Sequence, residues 1–539
     1  MTYKLNLDIS KGWHKKKKGN AFLFFKGYLN NCDIESLFHN LHNRNFNKSK
    51  CVSFIKSLDG HFVFIFLKDE NILISSDIIS SISLIMKQEK EILFIADNFR
   101  NLSRILKSKK NLTIDTEQTR NFALSGYTFG ENTIFKEVNK TFPGYLYLYK
   151  ENKLEQINYY NWKPYKKRLM NFSESKDKLK KLNIKIINKL IASSNNRCIA
   201  VPLSAGYDSR FILSGLVEKG YKNIFCFSYG KIGNREATVA KNIAKKLNIP
   251  WTFIEYTPKR IKKFLLSKEY KLFKKFSDLT VSVHSPQDFF AINFLKKNNI
   301  IPSNSIIVNG QTGDFISGNH IFYNSKNDNY DDLINLFYHK HYKISKRLMF
   351  LKSKSVKQSI KNRISTFNLN RKNTDNIREA LQKIEYEDRQ AKYLMGDQRT
   401  YEYFGYDWRL PLWDKEYVKF FEKLNIEYKV NQLLYKEVLI EQNWGDVWKN
   451  FPVNPKNTFS FKMEFMRFFF KCIFVLLGKK KWHRFELKFL DYFMNPLCGY
   501  AAWNYFSVVF NNREYSSPLG WHIEEYLNQK GLDWRGEYL

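Results

Sequence analysis

Through the first 160 residues the apolar positions come in short runs broken by Gly, Asn and Asp. Segments 21–29 (AFLFFKGYL), 61–67 (HFVFIFL), 71–77 (NILISSD) and 91–97 (EILFIAD) are rich in Phe, Ile and Val. Such residues suit a pleated, half-buried surface, so each segment predicts a strand. Strands clustered ahead of any helical stretch predict sheets packed on each other. Pro143 and Gly144 mark a turn, with two more strands after it. From about Phe172 the period changes, and LKKLNIKIINKLI places apolar residues three and four apart. Strands and helices then alternate: strand 198–203, helix 209–219, strand 223–229, helix 235–247, strand 251–256, and a buried strand running up to Gly310. Ala240, Ile243, Ala244 and Leu247 form one face of the second helix. This alternation predicts a doubly wound α/β fold with a parallel sheet covered on both faces. Pro202 has no N–H to give a central ladder, so it belongs where pairing has stopped. Beyond about Asp331 the pattern is mainly helical.

Length sharpens this picture. At 539 residues the chain exceeds what one core organises. Three segments are expected: a β-rich domain over 1–165, an α/β domain over 172–450, and a helical extension over 451–539. Hydrophobic residues at 43% supply ample core and exclude disorder on the scale of a domain. The formal net charge of +37 comes from Lys spread through every segment, which reads as solvated faces, and no nucleic-acid partner is expected. The one dense run, Lys15 to Lys18, is too short to serve as a nucleic-acid arm. Cys32, Cys51, Cys198, Cys226, Cys472 and Cys498 show no metal-ligand or redox spacing and are read as reduced, buried thiols of a cytoplasmic protein. The first residues lack the apolar stretch of a signal peptide. Segment 461–478 is apolar but interrupted by Lys462, Glu464, Arg467 and Lys471. Two readings stay open for it: an amphipathic helix making peripheral contact with a membrane or partner, or a helix packed on its own domain.

The chemistry concentrates in Val201-Pro-Leu-Ser-Ala-Gly-Tyr-Asp-Ser-Arg210. A strand runs into Ser204, Ala205 and Gly206, whose small side chains let backbone amides approach a phosphate. The helix that follows offers unpaired N–H groups and a favourable dipole. Asp208, a carboxylate beside a phosphate site, makes sense chiefly with Mg²⁺ between them. The plainer reading is a strand-to-helix turn capped by Ser204 or Asp208.

This loop resembles the Ser-Gly-Gly-x-Asp-Ser loop of the ATP-pyrophosphatase fold, in particular the synthetase domain of the asparagine synthetase family. Further segments follow in that family's order. Phe227-Ser228-Tyr229-Gly230 stands where the family sets backbone against adenine, and Glu236 opens the next helix as a family glutamate does. Asn309-Gly310-Gln311-Thr312-Gly313-Asp314 looks like its Ser-Gly-Glu-Gly-Ser-Asp loop, whose Asp is a second Mg²⁺ ligand. Trp408-Arg409-Leu-Pro411-Leu-Trp-Asp414 is similar to its Arg-x-Pro-Phe-Leu-Asp segment. Lys436 falls where a lysine holds the reacting phosphate. The front half is similar, more weakly, to the family's glutaminase domain of the amino-terminal-nucleophile type, through FKGYLNN and LDGHFVFIF.

The resemblance implies an adenine nucleotide hydrolase-like fold and an AMP-forming carbon–nitrogen ligase using ATP and Mg²⁺. Ser204, Ala205, Gly206, Tyr207, Asp208 and Ser209 would cradle pyrophosphate, with Ser228, Gly230, Asn309 and Gly310 also at the nucleotide. Asp208 and Asp314 would be the metal ligands and, with Lys436, the catalytic residues. Implied partners are a carboxylate substrate and ammonia or an amine, with a separate glutaminase as one source of nitrogen. Three departures stand out. Thr2 occupies the place of the nucleophilic Cys, so glutaminase activity is expected to be lost. Gln311 replaces a glutamate and cannot titrate. Ala205 replaces a Gly. The lost glutaminase and Gln311 point away from plain asparagine synthesis; relatives with such loops look like parts of surface-polysaccharide pathways, and that resemblance implies amidation of a sugar uronic acid. A tRNA-modifying enzyme and a non-catalytic scaffold on the same fold are the other readings.

Overall fold

The protein is described from a computed structural model covering residues 2–106, 112–164, 170–284, 286–322, 329–370, 373–455, 461–511 and 514–532. Ten strands come first: β1 (Tyr3–Asn6), β2 (Trp13–Lys18), β3 (Ala21–Leu29), β4 (Gly60–Lys68), β5 (Asn71–Ser76), β6 (Ile85–Glu89), β7 (Ile92–Ala96), β8 (Asn139–Lys140), β9 (Tyr145–Lys150) and β10 (Lys153–Asn158). All four apolar runs of the front half are strands, and the Pro143–Gly144 turn, with Gly144 at φ 72°, leads into the β9–β10 hairpin. They form a six-stranded sheet in the order β10-β9-β5-β4-β3-β2 and a four-stranded sheet in the order β1-β7-β6-β8. β4 is buried along nearly its whole length, which explains its unbroken apolar sequence. On β7 the strand period of two divides the side chains. Leu93 and Ile95 join the core shared with the larger sheet, while Phe94 and Ala96 join a second core with Phe122, Val281 and Leu381. The four-lysine run lies on β2, an edge strand paired only with β3.

Helix α1 (Phe172–Ser194) leads into the third sheet. Its strands β11 (Ile199–Pro202), β12 (Ile224–Gly230), β13 (Trp251–Glu255), β14 (Ile306–Val308) and β15 (Asp407–Arg409) are all parallel, in the order β13-β12-β11-β14-β15. The chain winds outward from β11 in one direction and then the other, which makes the fold doubly wound α/β. Pro202 ends β11, beyond the residues that pair with β14. α2 (Tyr207–Glu218) and α3 (Arg235–Lys246) are the crossover helices, and Ala240, Ile243 and Ala244 are buried on α3. Gly215 lets α2 touch α1, since a Cβ there would sit 2.7 Å from Ile187.

The chain departs from the sequence expectation in three places. β15 is a strand inside the stretch read as helical, because Asp407–Arg409 completes the edge beside β14. α2 begins at Tyr207, two residues before the expected Ser209. The thiols are free, but Cys472 is exposed and Cys32 half-exposed, so the expectation of six buried thiols holds for four. One continuous apolar core runs from the larger front sheet into the parallel sheet. The joint is fastened by the buried Lys26–Glu402 pair at 2.7 Å and by the Arg409 guanidinium over the Tyr28 ring. Among the described residues no helix is long and apolar enough to cross a membrane.

Candidate active site

A cleft of about 480 Å³ opens at the carboxyl ends of β11, β12 and β14, the place where such a sheet reverses direction and ligands bind. Ser204, Gly206, Tyr207, Asp208 and Ser209 line it from one side, and Asn309, Gly310, Gln311 and Asp314 from the other. The turn between β11 and α2 is not capped by a side chain. The N-cap is Gly206, and neither Ser204 nor Asp208 caps the helix, contrary to the plainer reading of this turn. The Ser204 hydroxyl instead lies 3.0 Å from the Ser209 hydroxyl and accepts from the Gly206 N–H at 3.1 Å. The start of α2 therefore keeps its anion-favouring dipole and faces the cleft.

The second loop presses directly on the first. A Cβ on Gly310 would stand 2.7 Å from the Asp208 backbone, and one on Gly313 would stand 2.3 Å from the Asp208 carboxylate. Only glycine fits at either place. Thr312 between them is held at φ 81°, an uncommon conformation for a β-branched residue. Its hydroxyl donates to Gln390 at 3.0 Å. α4 (Gly313–Ser317) follows, also without a side-chain cap.

Asp208 accepts from the Tyr435 hydroxyl at 2.8 Å and from the Asp314 N–H at 3.2 Å. Burial first, and then the charge of Asp314, push its pKa up to about 7. Asp314 is held by His320, 3.2 Å away. Burial works against the charge of Asp314, but the His320 bond outweighs it and keeps this carboxyl below its ordinary value. His320 also meets Glu385, and although burial disfavours its charge, Glu385 and Asp314 raise its pKa to about 9. Glu385 in turn is flanked by His341 and Arg389, the latter at 2.9 Å.

The residues fit a nucleotide-bound Mg²⁺ rather than a metal held by protein alone. Two carboxylates crowd together at the mouth of an uncapped helix, and among the described residues no group of three or more His, Cys, Asp or Glu is placed to hold a metal ion. Mg²⁺ commonly takes one or two carboxylates and completes its shell with phosphate oxygens and water.

Other predicted residues stand back from the cleft wall. Ala205 is fully buried, and its carbonyl accepts from Arg210 at 3.0 Å and from the Asn454 N–H at 3.3 Å. Ser228 is buried between the Leu203 carbonyl and the Trp251 indole, and Gly230 sits at φ 135° at the end of β12; Tyr229 between them lines the cleft. Lys436, on α5 (Leu433–Gln442), is outside the cleft lining, with its ammonium 5.6 Å from the ring centroid of Tyr207, which lines it. Glu236 lies in the first turn of α3. Arg409 and Asp414 serve the joint with the front half, where Asp414 meets Lys189 at 2.8 Å.

Sequence reading passed over several groups at the site. Tyr435, next to Lys436, turns inward to Asp208. His320, which belongs to none of the sequence motifs, secures Asp314. Asp288 and Asp397 line the cleft without belonging to any recognised motif. Asp288 accepts from the hydroxyls of Tyr401, at 2.6 Å, and Tyr229. Gln311 donates to Asp397 at 3.1 Å and accepts from Gln398. Burial, followed by the charge of Asp288, lifts Asp397 well above the usual carboxylate range. His284, by contrast, is half-buried outside the cleft lining against the Ser277 carbonyl, and desolvation lowers it to about 4.

Residues 193–442 match the family model for asparagine synthase. No curated protein matches the chain.

Proposed function

Since this chain belongs to the asparagine synthetase family through its residues 193–442, we propose that it activates a carboxylate as an acyl-adenylate in the cleft above β11 and then converts it to an amide. The family places it among ATP-dependent, amide-forming ligases. The observation that carries the finer reading is the uncapped start of α2 facing Asp208 and Asp314, with Gly310 and Gly313 closing the second loop onto the first.

A carboxylate oxygen must reach the α-phosphorus of ATP, a centre that already carries negative charge. Neutralisation and alignment are therefore the protein's main work. The N-terminal turn of α2, with Ser204 and Ser209, receives the pyrophosphate that departs when the α–β phosphoanhydride bond breaks. Asp208 and Asp314 would hold Mg²⁺, which when bound would supply charge neutralisation on the phosphates. Lys436 reaches the same phosphates past Tyr207. An amine nitrogen then attacks the acyl carbon, AMP leaves, and the nitrogen gives up a proton. Gln311 cannot take that proton, and Asp397 beside it can. A carboxylate lifted by burial holds a proton more firmly than a free one, which suits a general base. Gln311 orients it through the 3.1 Å bond.

The cleft wall also bears on the substrate. Gln287, Asn309, Gln311, Asn319, Thr400 and Gln432 give it a run of amide and hydroxyl groups. Such a surface matches a hydroxyl-rich acid, and a sugar uronic acid from surface polysaccharide formation is the substrate class proposed. The front half acts as a support without glutaminase activity, and nitrogen comes as ammonia or an amine, from a separate glutaminase where glutamine is the source. Thr2 stands at the place of the nucleophile, and its carbonyl is taken by the Leu93 N–H at 3.0 Å.

The test is ATP–pyrophosphate exchange with Mg²⁺ across aspartate and a panel of uronic acids, with Asp208→Ala as control. Exchange that requires one uronic acid and vanishes in the variant supports the proposal. Exchange with aspartate alone refutes the sugar substrate, and none with any acid refutes adenylation.

A further inference from the structure

Helix α6 (Phe461–Val475) carries two apolar faces, and the protein uses one. Phe470 and Phe474 pack on Phe485 of helix α7 (Lys479–Phe485), with ring centroids 5.0 and 4.5 Å apart. Arg467, on the same side, reaches Glu486 at 2.7 Å and Glu464 at 3.2 Å. Turning by 100° per residue brings Phe465, Phe468, Phe469 and Ile473 together on the other side. They are 63%, 68%, 55% and 48% exposed, and Leu476, just past the helix, is 90% exposed. An apolar stripe of this kind is not left to water in a soluble monomer without a purpose.

The charges around the stripe say what covers it. Segment 461–490 holds eight Lys and Arg against two Glu, and both Glu are already engaged by Arg467. Lys462, Lys471, Lys479, Lys480, Lys481, Arg484 and Lys488 are all exposed. A second copy of the chain would bring the same cations face to face, which opposes self-association. Arg484, Lys488 and Lys346 also share the wall of a cleft of about 780 Å³ with Leu487 and Phe510, where Asp491 and Glu514 stand among them.

We propose that α6 and α7 form a monotopic membrane-binding surface that seats Phe465, Phe468, Phe469, Ile473 and Leu476 into the interface of an anionic bilayer, with the lysines on its headgroups. Aromatic and aliphatic side chains gain by leaving water at the acyl boundary. Each lysine near an anionic surface adds attraction that falls off within a Debye length. The surface is tethered close to the cleft. Asn454, whose N–H is bonded to the Ala205 carbonyl, precedes Phe461 by seven positions, and chain length alone keeps them within about 25 Å. The inference does not depend on which carboxylate the cleft takes.

Co-sedimentation of the full chain with vesicles of phosphatidylglycerol and phosphatidylcholine in equal parts, against phosphatidylcholine alone, tests it. The anionic vesicles are expected to bind the wild type at least about tenfold more tightly. Phe465→Ser/Phe468→Ser/Ile473→Ser and Lys479→Glu/Lys480→Glu/Lys481→Glu should each lose that binding while melting like the wild type. Lys15→Glu/Lys17→Glu, on the distant edge strand, should keep it. Failure of the wild type to bind overturns the proposal, as does equal loss in the edge-strand variant, which would make the effect one of diffuse charge. A wild-type dimer that the Phe465→Ser/Phe468→Ser/Ile473→Ser variant converts to monomer also overturns it, in favour of self-association.

Discussion

Asp208 is held where its own charge is unwelcome. Burial and Asp314 raise its pKa to about 7, yet Tyr435 and the Asp314 N–H still keep it in place. A buried acid raised in the fold costs stability as pH rises from its unfolded value near 4 through 7, because the unfolded chain releases the proton earlier. Asp208→Asn keeps the shape and the Tyr435 contact while removing the charge. At pH 8 the variant should melt higher than the wild type, by about 1–3 kcal/mol in stability, and pyrophosphate exchange should fall by about 10²-fold or more. A variant that melts lower and keeps its exchange would refute the assignment. Asp397 separates the two half-reactions. Asp397→Asn should leave exchange within about threefold of wild type and reduce amide formation about 10²-fold. Equal loss in both assays would make Asp397 a positioning group for ATP instead.

At the scale of elements, one buried arginine ties the Ser204–Ser209 loop to the segment that follows α5. Arg210, fully buried on α2, donates to the carbonyls of Val447, Phe451, Ala205 and Pro452 at 3.1, 3.0, 3.0 and 2.7 Å. Burial lowers its pKa to about 10, so it remains charged. Arg210→Ala would strand the buried Ala205 and Val447 carbonyls at about 1–3 kcal/mol each before relaxation, and would release those of Phe451 and Pro452 nearer the surface. The expected result is a large drop in melting temperature together with weaker ATP binding, read by calorimetry; loss of stability alone would separate the clamp from the site. On the front sheet, Lys15 and Lys17 of β2 lie near the Phe22 ring and guard an open edge. Lys15→Val/Lys17→Val should make the protein self-associate with concentration in light scattering, where the wild type does not. Most elements were legible because period and turn residues agreed with burial: β3, β4, β5, β7, the run from α1 to β13, and β14 follow the apolar pattern, whereas helices Pro258–Leu265, Lys268–Ser277 and Phe289–Lys297 fall in a stretch that was given no element. β15 was not legible, because three residues carry no period and only β14 makes them a strand. The strand ends also located the Ser204–Ser209 loop and the Gly310–Asp314 turn. Tyr435, His320, Asp288 and Asp397 stayed hidden because the fold, not sequence spacing, brings them to the cleft.

Across the whole molecule, three lysines are buried where the front half meets the parallel-sheet domain or within its helices. Lys140 donates to the Thr141 carbonyl at 3.2 Å, and burial, then the charge of Lys392, lower it to about 7. Lys392 donates to the Thr128 carbonyl at 2.6 Å and lies 3.5 Å from Asp388; burial lowers it to about 8. Lys429 is lowered to about 7, again chiefly by burial. An unfolded lysine keeps its proton to about pH 10. Between roughly pH 7 and 10 the unfolded chain therefore binds more protons than the folded one, and these three groups make stability rise with pH across that window. His320 works the other way. Its folded pKa of about 9 exceeds an unfolded value near 6.5, so its contribution is lost as pH rises from about 6.5 through 9. With three groups against one, the melting temperature is expected to be higher at pH 9 than at pH 7. Lys140→Met should raise it at pH 7 and flatten the rise, whereas His320→Gln should steepen it. A wild-type melting temperature that falls over this range, with a slope that Lys140→Met leaves unchanged, would show that the buried lysines keep their protons. The joint between the two halves would then have to hold their charge by contacts other than the carbonyls and Asp388.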